Sequence, residues 1–263
     1  MNCRVTVLVL LTTVAGAREL NAATLGPDAF GYTAASAPFL FTDITGTGTR
    51  ILPASDDDTL TVDLGFHFDF YGAGYGQVCI SANGVLAFGG CEPSPDHVDL
   101  ATTSTFNDVP TIAALWDDWQ FFTPGTDAVY YQISGTAGSR IFTSEWSLAK
   151  GNFPYSPGAA TFEAILGEST SEILLQYLDT ATQDFRQAGG NATVGIRDAG
   201  GETNGRNLVW SYNAPAIANG TAVRFGVTPV PEPGSGWLLA GAILAGMKWA
   251  ARGRAGSHTR TEV

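Results

Sequence analysis

The chain has 263 residues, 25 of them acidic and 13 basic, for a formal net charge of −12. Between Arg18 and Val230 the imbalance grows to 23 acidic against 8 basic residues, a net −15, which excludes nucleic acid and anionic lipid as partners of this part. Lys150 is its only lysine among plentiful Gly, Thr, Ser, Phe and Tyr, a composition of strands and turns long enough to bury one large core.

The N-terminus is an export signal. Met1 to Arg4 is a short basic region, Val5 to Val14 is apolar, and Ala15-Gly16-Ala17 is an A-x-A pattern, so cleavage is expected after Ala17. Cys3 stands ahead of the apolar region, where a lipid anchor is not built. Cys79 and Cys91 then remain, and in an oxidising compartment an isolated pair is expected to form a disulfide. Two sulfurs with only His97 nearby make a poor zinc site.

Strand signals follow one another along the body. Leu60 to Leu64 alternates into Gly65 to Tyr71, with Phe66, Phe68 and Phe70 on one face and His67 and Asp69 on the other. Val78 to Ala82 and Val85 to Phe88 flank Asn83-Gly84, which predicts a two-residue type I′ hairpin. That register sets Cys79 opposite Phe88, so Cys91 has to curl back past Gly89-Gly90 to reach it. Thr111 to Trp116 is a continuous apolar run, expected to be covered on both faces. Ala128 to Ile133 with Arg140 to Trp146, and Thr161 to Leu166 with Glu172 to Tyr177, predict two more hairpins. Thr193 to Arg197, Leu208 to Tyr212 and Thr221 to Val227 complete an all-β fold, an antiparallel two-sheet sandwich of jelly-roll type.

Several of these segments carry a resemblance. Asp56-Asp57-Asp58, Leu64 to Gly72, Tyr75, Ile80 to Gly84 and Phe88 resemble the opening of bacterial nidogen-like (NIDO-type) extracellular domains. The likeness continues through Ala113 to Asp118, Val129-Tyr130-Tyr131, Glu145-Trp146, Phe162 to Leu166, Ile173 to Tyr177 and Ala192 to Ile196. It implies an extracellular β module associated with adhesion and matrix, with no catalytic residues to carry over.

Motifs of enzyme chemistry are missing from the sequence. There is no H-E-x-x-H, G-x-S-x-G or P-loop spacing, His67 alternates with phenylalanines on a strand, and His97 falls in a loop where it is expected to be solvated. Glu163, Glu168 and Glu172 gather around one hairpin and are the candidates for a glycosidase-like carboxylate pair. Asp56, Asp57, Asp58, Asp117 and Asp118 stand at strand ends and are candidate calcium ligands, because a hard cation takes oxygens converging from loops. The alternative is that they cap turns and keep sheet edges soluble. Trp119, Phe121, Phe122, Phe153 and Tyr155 could stack on sugars if exposed, or pack in the core.

The C-terminus is a second address. Val230-Pro231-Glu232-Pro233 runs through Gly234-Ser235-Gly236 into an apolar segment, Trp237 to Ala251, that ends among Lys248, Arg252 and Arg254. Pro-Glu-Pro interrupts regular structure, the apolar segment can form a transmembrane helix if Lys248 snorkels, and the basic flank holds the tail in the cytoplasm. This order of parts resembles the PEP-CTERM signal, which implies exosortase as a processing partner and the inner membrane as a stage before processing. The expected organisation is a signal peptide over 1–17, an extracellular domain over 18–228, a sorting signal with its helix over 229–254, and a cytoplasmic tail over 255–263. The expected function is non-enzymatic: an exported surface or matrix protein, structural or adhesive, with extracellular polysaccharide or surface proteins as partners. The alternative is a secreted carbohydrate-binding or glycosidase-like protein.

Overall fold

The computed structural model of the protein describes residues 24–123, 125–151, 158–181 and 185–227. The expected cleavage site at Ala15 and Ala17, the sorting motif Val230 to Pro233 and the C-terminal helix lie outside these residues. Among the described residues, no helix is long and apolar enough to cross a membrane.

Two antiparallel sheets form a sandwich. The larger has the order β1 (Thr24–Leu25), β2 (Tyr32–Ala37), β15 (Thr221–Val227), β12 (Ile173–Thr180), β11 (Ala159–Gly167), β10 (Ile141–Gly151), β9 (Ala128–Ser134) and β3 (Thr49–Ile51), with β8 (Trp119–Gln120) paired to the end of β10. The smaller runs β14 (Asn207–Tyr212), β13 (Thr193–Arg197), β7 (Thr111–Trp116), β6 (Val85–Ala87), β5 (Ala73–Ser81) and β4 (Thr59–Phe70). Every strand signal read from the sequence falls on one of these strands.

The sequence pattern explains the core. In β4, Val62, Leu64, Phe66, Phe68 and Phe70 are buried while His67 and Asp69 face out, as period-two alternation requires. Phe88 packs against Phe68, Phe70 and Tyr75. Trp146 stacks on Phe162 at 5.0 Å between ring centres, and Trp119 packs on the same ring. Two polar tips tie the sheets together: Trp146 Nε1 donates to the Ser81 carbonyl and the Tyr177 hydroxyl donates to the Ala114 carbonyl, both at 2.8 Å. Trp119 and Phe121 are therefore core residues, whereas Phe122 is exposed and Phe153 and Tyr155 lie outside the described residues.

The hairpin at Asn83-Gly84 differs from its expected register. Ser81 pairs with Val85 and Cys79 with Ala87, so the connection has three residues, Ala82 to Gly84, and Cys79 is not opposite Phe88. Only Gly84 takes a positive φ, +79°, and a Cβ there would run into the Leu115 carbonyl oxygen. Asn83 keeps an ordinary φ because its side chain is buried and bonded elsewhere. The disulfide forms as expected, with Cys79 and Cys91 Cα atoms 5.3 Å apart and Gly89 at φ +71° in the corner between them.

Both sheets carry irregular cover on their outer faces. The segment after the disulfide lays Val98 and Leu100 over Val85, Ala113 and Trp116, and Trp116 Nε1 donates to the Ser94 carbonyl at 2.8 Å. This cover is why every residue of β7 is buried. On the larger sheet, residues 38–48 leave β2 near one edge and enter β3 at the other, so they cross the outer face over β15, β12, β11, β10 and β9.

Candidate functional site

The outer face of the larger sheet gathers the most unusual chemistry. Glu145 in β10, Glu163 in β11 and Gln176 in β12 are direct cross-strand neighbours and form one row. All three are buried beneath the crossing segment. Gln176 exchanges hydrogen bonds with the Leu40 backbone, 2.6 Å to its N–H and 3.1 Å to its carbonyl, and donates to Glu163 Oε1 at 2.6 Å. The Ile44 N–H donates to Glu145 Oε2 at 2.8 Å, and the Thr42 N–H to Glu163 Oε1 at 3.4 Å. Burial pushes both carboxyl groups up, Glu145 to about 7 and Glu163 to about 8, against the pull of the backbone N–H donors. Neighbouring negative charge adds to the rise, from Asp43 at Glu145 and from Glu145 at Glu163.

A cleft of about 500 Å³ opens beside this row, lined in part by Asp43, Thr45, Tyr130, Glu145, Leu148 and Leu178. Two β-bulges shape it. Ser147 and Leu148 of β10 stand against Thr161 of β11, and Leu178 is the extra residue of β12 facing the same stretch. Leu148 is held at φ +59° and its N–H donates to Thr161 Oγ1 at 3.2 Å. The bulges turn Leu148 and Leu178 outward, 39% and 46% exposed, as apolar walls. Asp43 sits in the opposite electrostatic setting from Glu145: the Thr45 hydroxyl and N–H hold its carboxyl below the usual range.

The acidic strand ends divide into two groups. Carboxylate oxygens of Asp56, Asp57 and Asp118 lie within 4.8 Å of one another, a set that fits a hard cation. Burial and the charges of Asp57 and Asp58 push the Asp56 carboxyl up. Asp58 and Asp117 are not in that set. Asp117 is buried, 2.7 Å from Arg186 Nε and 3.7 Å from His97 Nδ1, and it accepts from Asn191 at 3.2 Å. His97 is not simply solvated, because Nε2 lies 2.7 Å from Asn213 Oδ1 and its ring meets Tyr212 edge-on.

The expected cluster of Glu163, Glu168 and Glu172 is dispersed. Glu168 is clamped by Arg140 of the neighbouring hairpin tip, 2.5 Å between Oε1 and Nη2, while Glu172, in the same turn as Glu168, lies 3.8 Å from Arg224 of β15. The partner of Glu163 is Glu145, eighteen positions back in sequence and directly across the ladder. Period-two alternation past Trp146 places Glu145 opposite the core face, but pairing it with Glu163 needs the strand register.

No curated protein and no solved structure matches the chain. The family model for NIDO-related domains matches residues 31–235, which takes in both sheets from β2 to β15. The chain therefore belongs to the NIDO-related family.

Proposed function

We propose that this protein is an exported, non-enzymatic domain of the bacterial surface or extracellular matrix that binds polysaccharide through the cleft beside Glu145. The NIDO-related match and the Cys79–Cys91 disulfide support export to an oxidising compartment. The observation that carries the ligand class is the lining of the cleft. Asp43 offers acceptors to sugar hydroxyls, Thr45, Ser147 and Thr161 add hydroxyls, and Leu148 and Leu178 flank a surface for the apolar side of a sugar ring. Among the described residues its lining has no lysine or arginine, which favours neutral over acidic glycans.

The terminal signals supply the route: removal of residues 1–17, passage through the inner membrane, and processing by an exosortase at Val230 to Pro233. Calcium at Asp56, Asp57 and Asp118 would rigidify the loops they come from. A second reading, a glycosidase, has one observation in its favour, since Asp43 and Glu145 share a cleft while their surroundings move their carboxyl groups in opposite directions.

A glycan array and a hydrolysis screen on the purified exported protein separate the readings. Binding of neutral glycans that Asp43→Asn or Leu148→Asp weakens tenfold, without turnover, is the expected result. Hydrolysis lost in both Glu145→Gln and Asp43→Asn would replace the binding reading with the enzymatic one, and no binding to any glycan would end both. Mass spectrometry of the mature protein checks the route. Intact Val263 as the dominant form on cells with an active exosortase would contradict it.

A further inference from the structure

The segment over residues 38–48 is fastened to the sheet in an unusual way. It spans five strands, yet its backbone is held at alternate residues, Leu40, Thr42 and Ile44, by three side chains of a single cross-strand row. Two of those three are carboxyl groups side by side. No salt bridge among the described residues reaches either one. Glu163 Oε2 is buried and accepts no hydrogen bond.

The charged groups around the pair add no compensation. Asp43 on the segment is acidic, as is Asp179 of β12, which stands opposite Thr161. Tyr130 of β9 stands across the ladder from Glu145, Arg50 of β3 donates from its guanidinium to the Asp127 carbonyl at 3.0 Å, and Arg224 of β15 lies by Glu172. Two adjacent anions in such a place repel each other and forgo hydration. While the segment is down, the pair therefore retains a proton.

Apolar contacts provide the other half of the fastening. Phe39 and Phe41 are half-buried and stack on each other at 6.2 Å, and Ile44 is buried with Ala128 and Tyr130. Leu40 points away and is 75% exposed. The segment thus has a modest apolar hold and a polar hold whose strength depends on protonation.

We propose that residues 38–48 are a proton-operated strap, closed over the larger sheet while the Glu145–Glu163 pair holds a proton and released when both carboxylates ionise. Release lets water reach both groups, so opening and proton loss are linked, and each favours the other. The raised carboxyl groups, about 7 and about 8, set the range in which the strap responds. Release also removes Asp43 and Thr45 from the cleft wall and exposes Phe39, Phe41 and Ile44. A protein beyond the cell membrane meets the pH of its surroundings directly, and this strap couples that pH to the shape of its outer face.

Hydrogen exchange of the full exported protein, followed residue by residue by NMR between pH 5.5 and 9, tests the strap. After correction for the intrinsic pH dependence of exchange, the opening constants of the Leu40, Thr42 and Ile44 amides should rise by up to about tenfold per pH unit for each group still protonated under the strap, most steeply below pH 7, and level off above pH 8. The amide of Ile112 in the core should not follow them. In Glu145→Gln/Glu163→Gln, which keeps acceptors for the strap amides, the rise should vanish. Carboxyl ¹³C shifts of the unmodified protein give an independent check, since Glu145 and Glu163 should titrate above pH 6. Titration of both near pH 4.5, strap protection that ignores pH, or an undiminished rise in the double variant would each overturn the proposal.

Discussion

Asn83 Oδ1 accepts the backbone N–H of Trp119 at 3.0 Å, joining the tip of one hairpin to the corner where β7 turns into β8. The same carboxamide donates to Asp57 Oδ1 at 3.0 Å and to the Pro93 carbonyl at 3.1 Å, and the residue is fully buried. Four separate segments therefore meet at one side chain. Asn83→Ala should cost about 3 kcal/mol in urea unfolding, because the Trp119 donor is left buried without a partner. Asn83→Asp keeps that acceptor but sets a carboxylate against Asp57, so its deficit should be larger at pH 7 than at pH 4. A loss below about 1 kcal/mol in the alanine variant would show that water replaces the bonds.

The disulfide closes the Gly89-Gly90 corner and anchors the cover of the smaller sheet. Beyond it, Glu92 is buried and accepts the N–H groups of Ser94 and Asn107, while Asn107 Nδ2 donates to the Cys91 carbonyl at 2.6 Å. Reduction, or Cys79→Ser/Cys91→Ser, should lower stability by about 3 kcal/mol through the freed loop of the unfolded chain. Protection of the Val98 and Leu100 amides should fall further than that of Phe68. Free thiols at both positions in secreted protein would contradict the bridge.

How much of this could be read in the sequence depends on how local the cause is. Alternation in Phe66 to Phe70 and the unbroken apolar run Thr111 to Trp116 fix strands by themselves, and both are found where they were expected. The strand Tyr32–Ala37 carries no local signal, because its three alanines and Ser36 have weak β propensity. It exists through its pairing with β15. At Asn83-Gly84 the local turn signal was right in kind and wrong by one residue, because burial of the Asn83 carboxamide outweighed the two-residue turn preference. At the outer face the carboxylates themselves are visible, but sequence proximity groups Glu163 with Glu168 and Glu172. Its true neighbour Glu145 is set by register, and the Leu148 and Leu178 bulges beside them have no local signature.

Stability should fall as pH rises through neutrality. Glu145 and Glu163 have folded values of about 7 and about 8 against ordinary values near 4.5, so between about pH 5 and 8 the folded protein binds more protons than the unfolded chain. Their favourable contribution is complete below the ordinary value and is lost through the folded one, at up to about 1.4 kcal/mol per pH unit for each group. Thermal unfolding from pH 5 to 8.5 should show a declining Tm, and Glu163→Gln should flatten the decline. A Tm that rises over this interval would place the charge of both carboxylates in a compensated setting the structure does not contain.

Calcium separates Asp118 from its neighbour Asp117. If a cation is held by Asp56, Asp57 and Asp118, binding neutralises carboxylates whose oxygens lie within 4.8 Å, among them Asp56, which burial and then the charges of Asp57 and Asp58 already push up. The folded state then gains RT ln(1 + [L]/Kd), about 2.7 kcal/mol at a hundredfold excess over Kd. Millimolar calcium should raise the Tm of the unmodified protein, and Asp118→Asn should abolish the rise with little change in chelator. Asp117→Asn should behave in the opposite sense. It removes the carboxylate that lies 2.7 Å from buried Arg186, so the apo protein should lose about 3 kcal/mol while its response to calcium persists. Equal melting temperatures in chelator and in calcium would assign Asp56, Asp57 and Asp118 to turn capping and edge solubility alone.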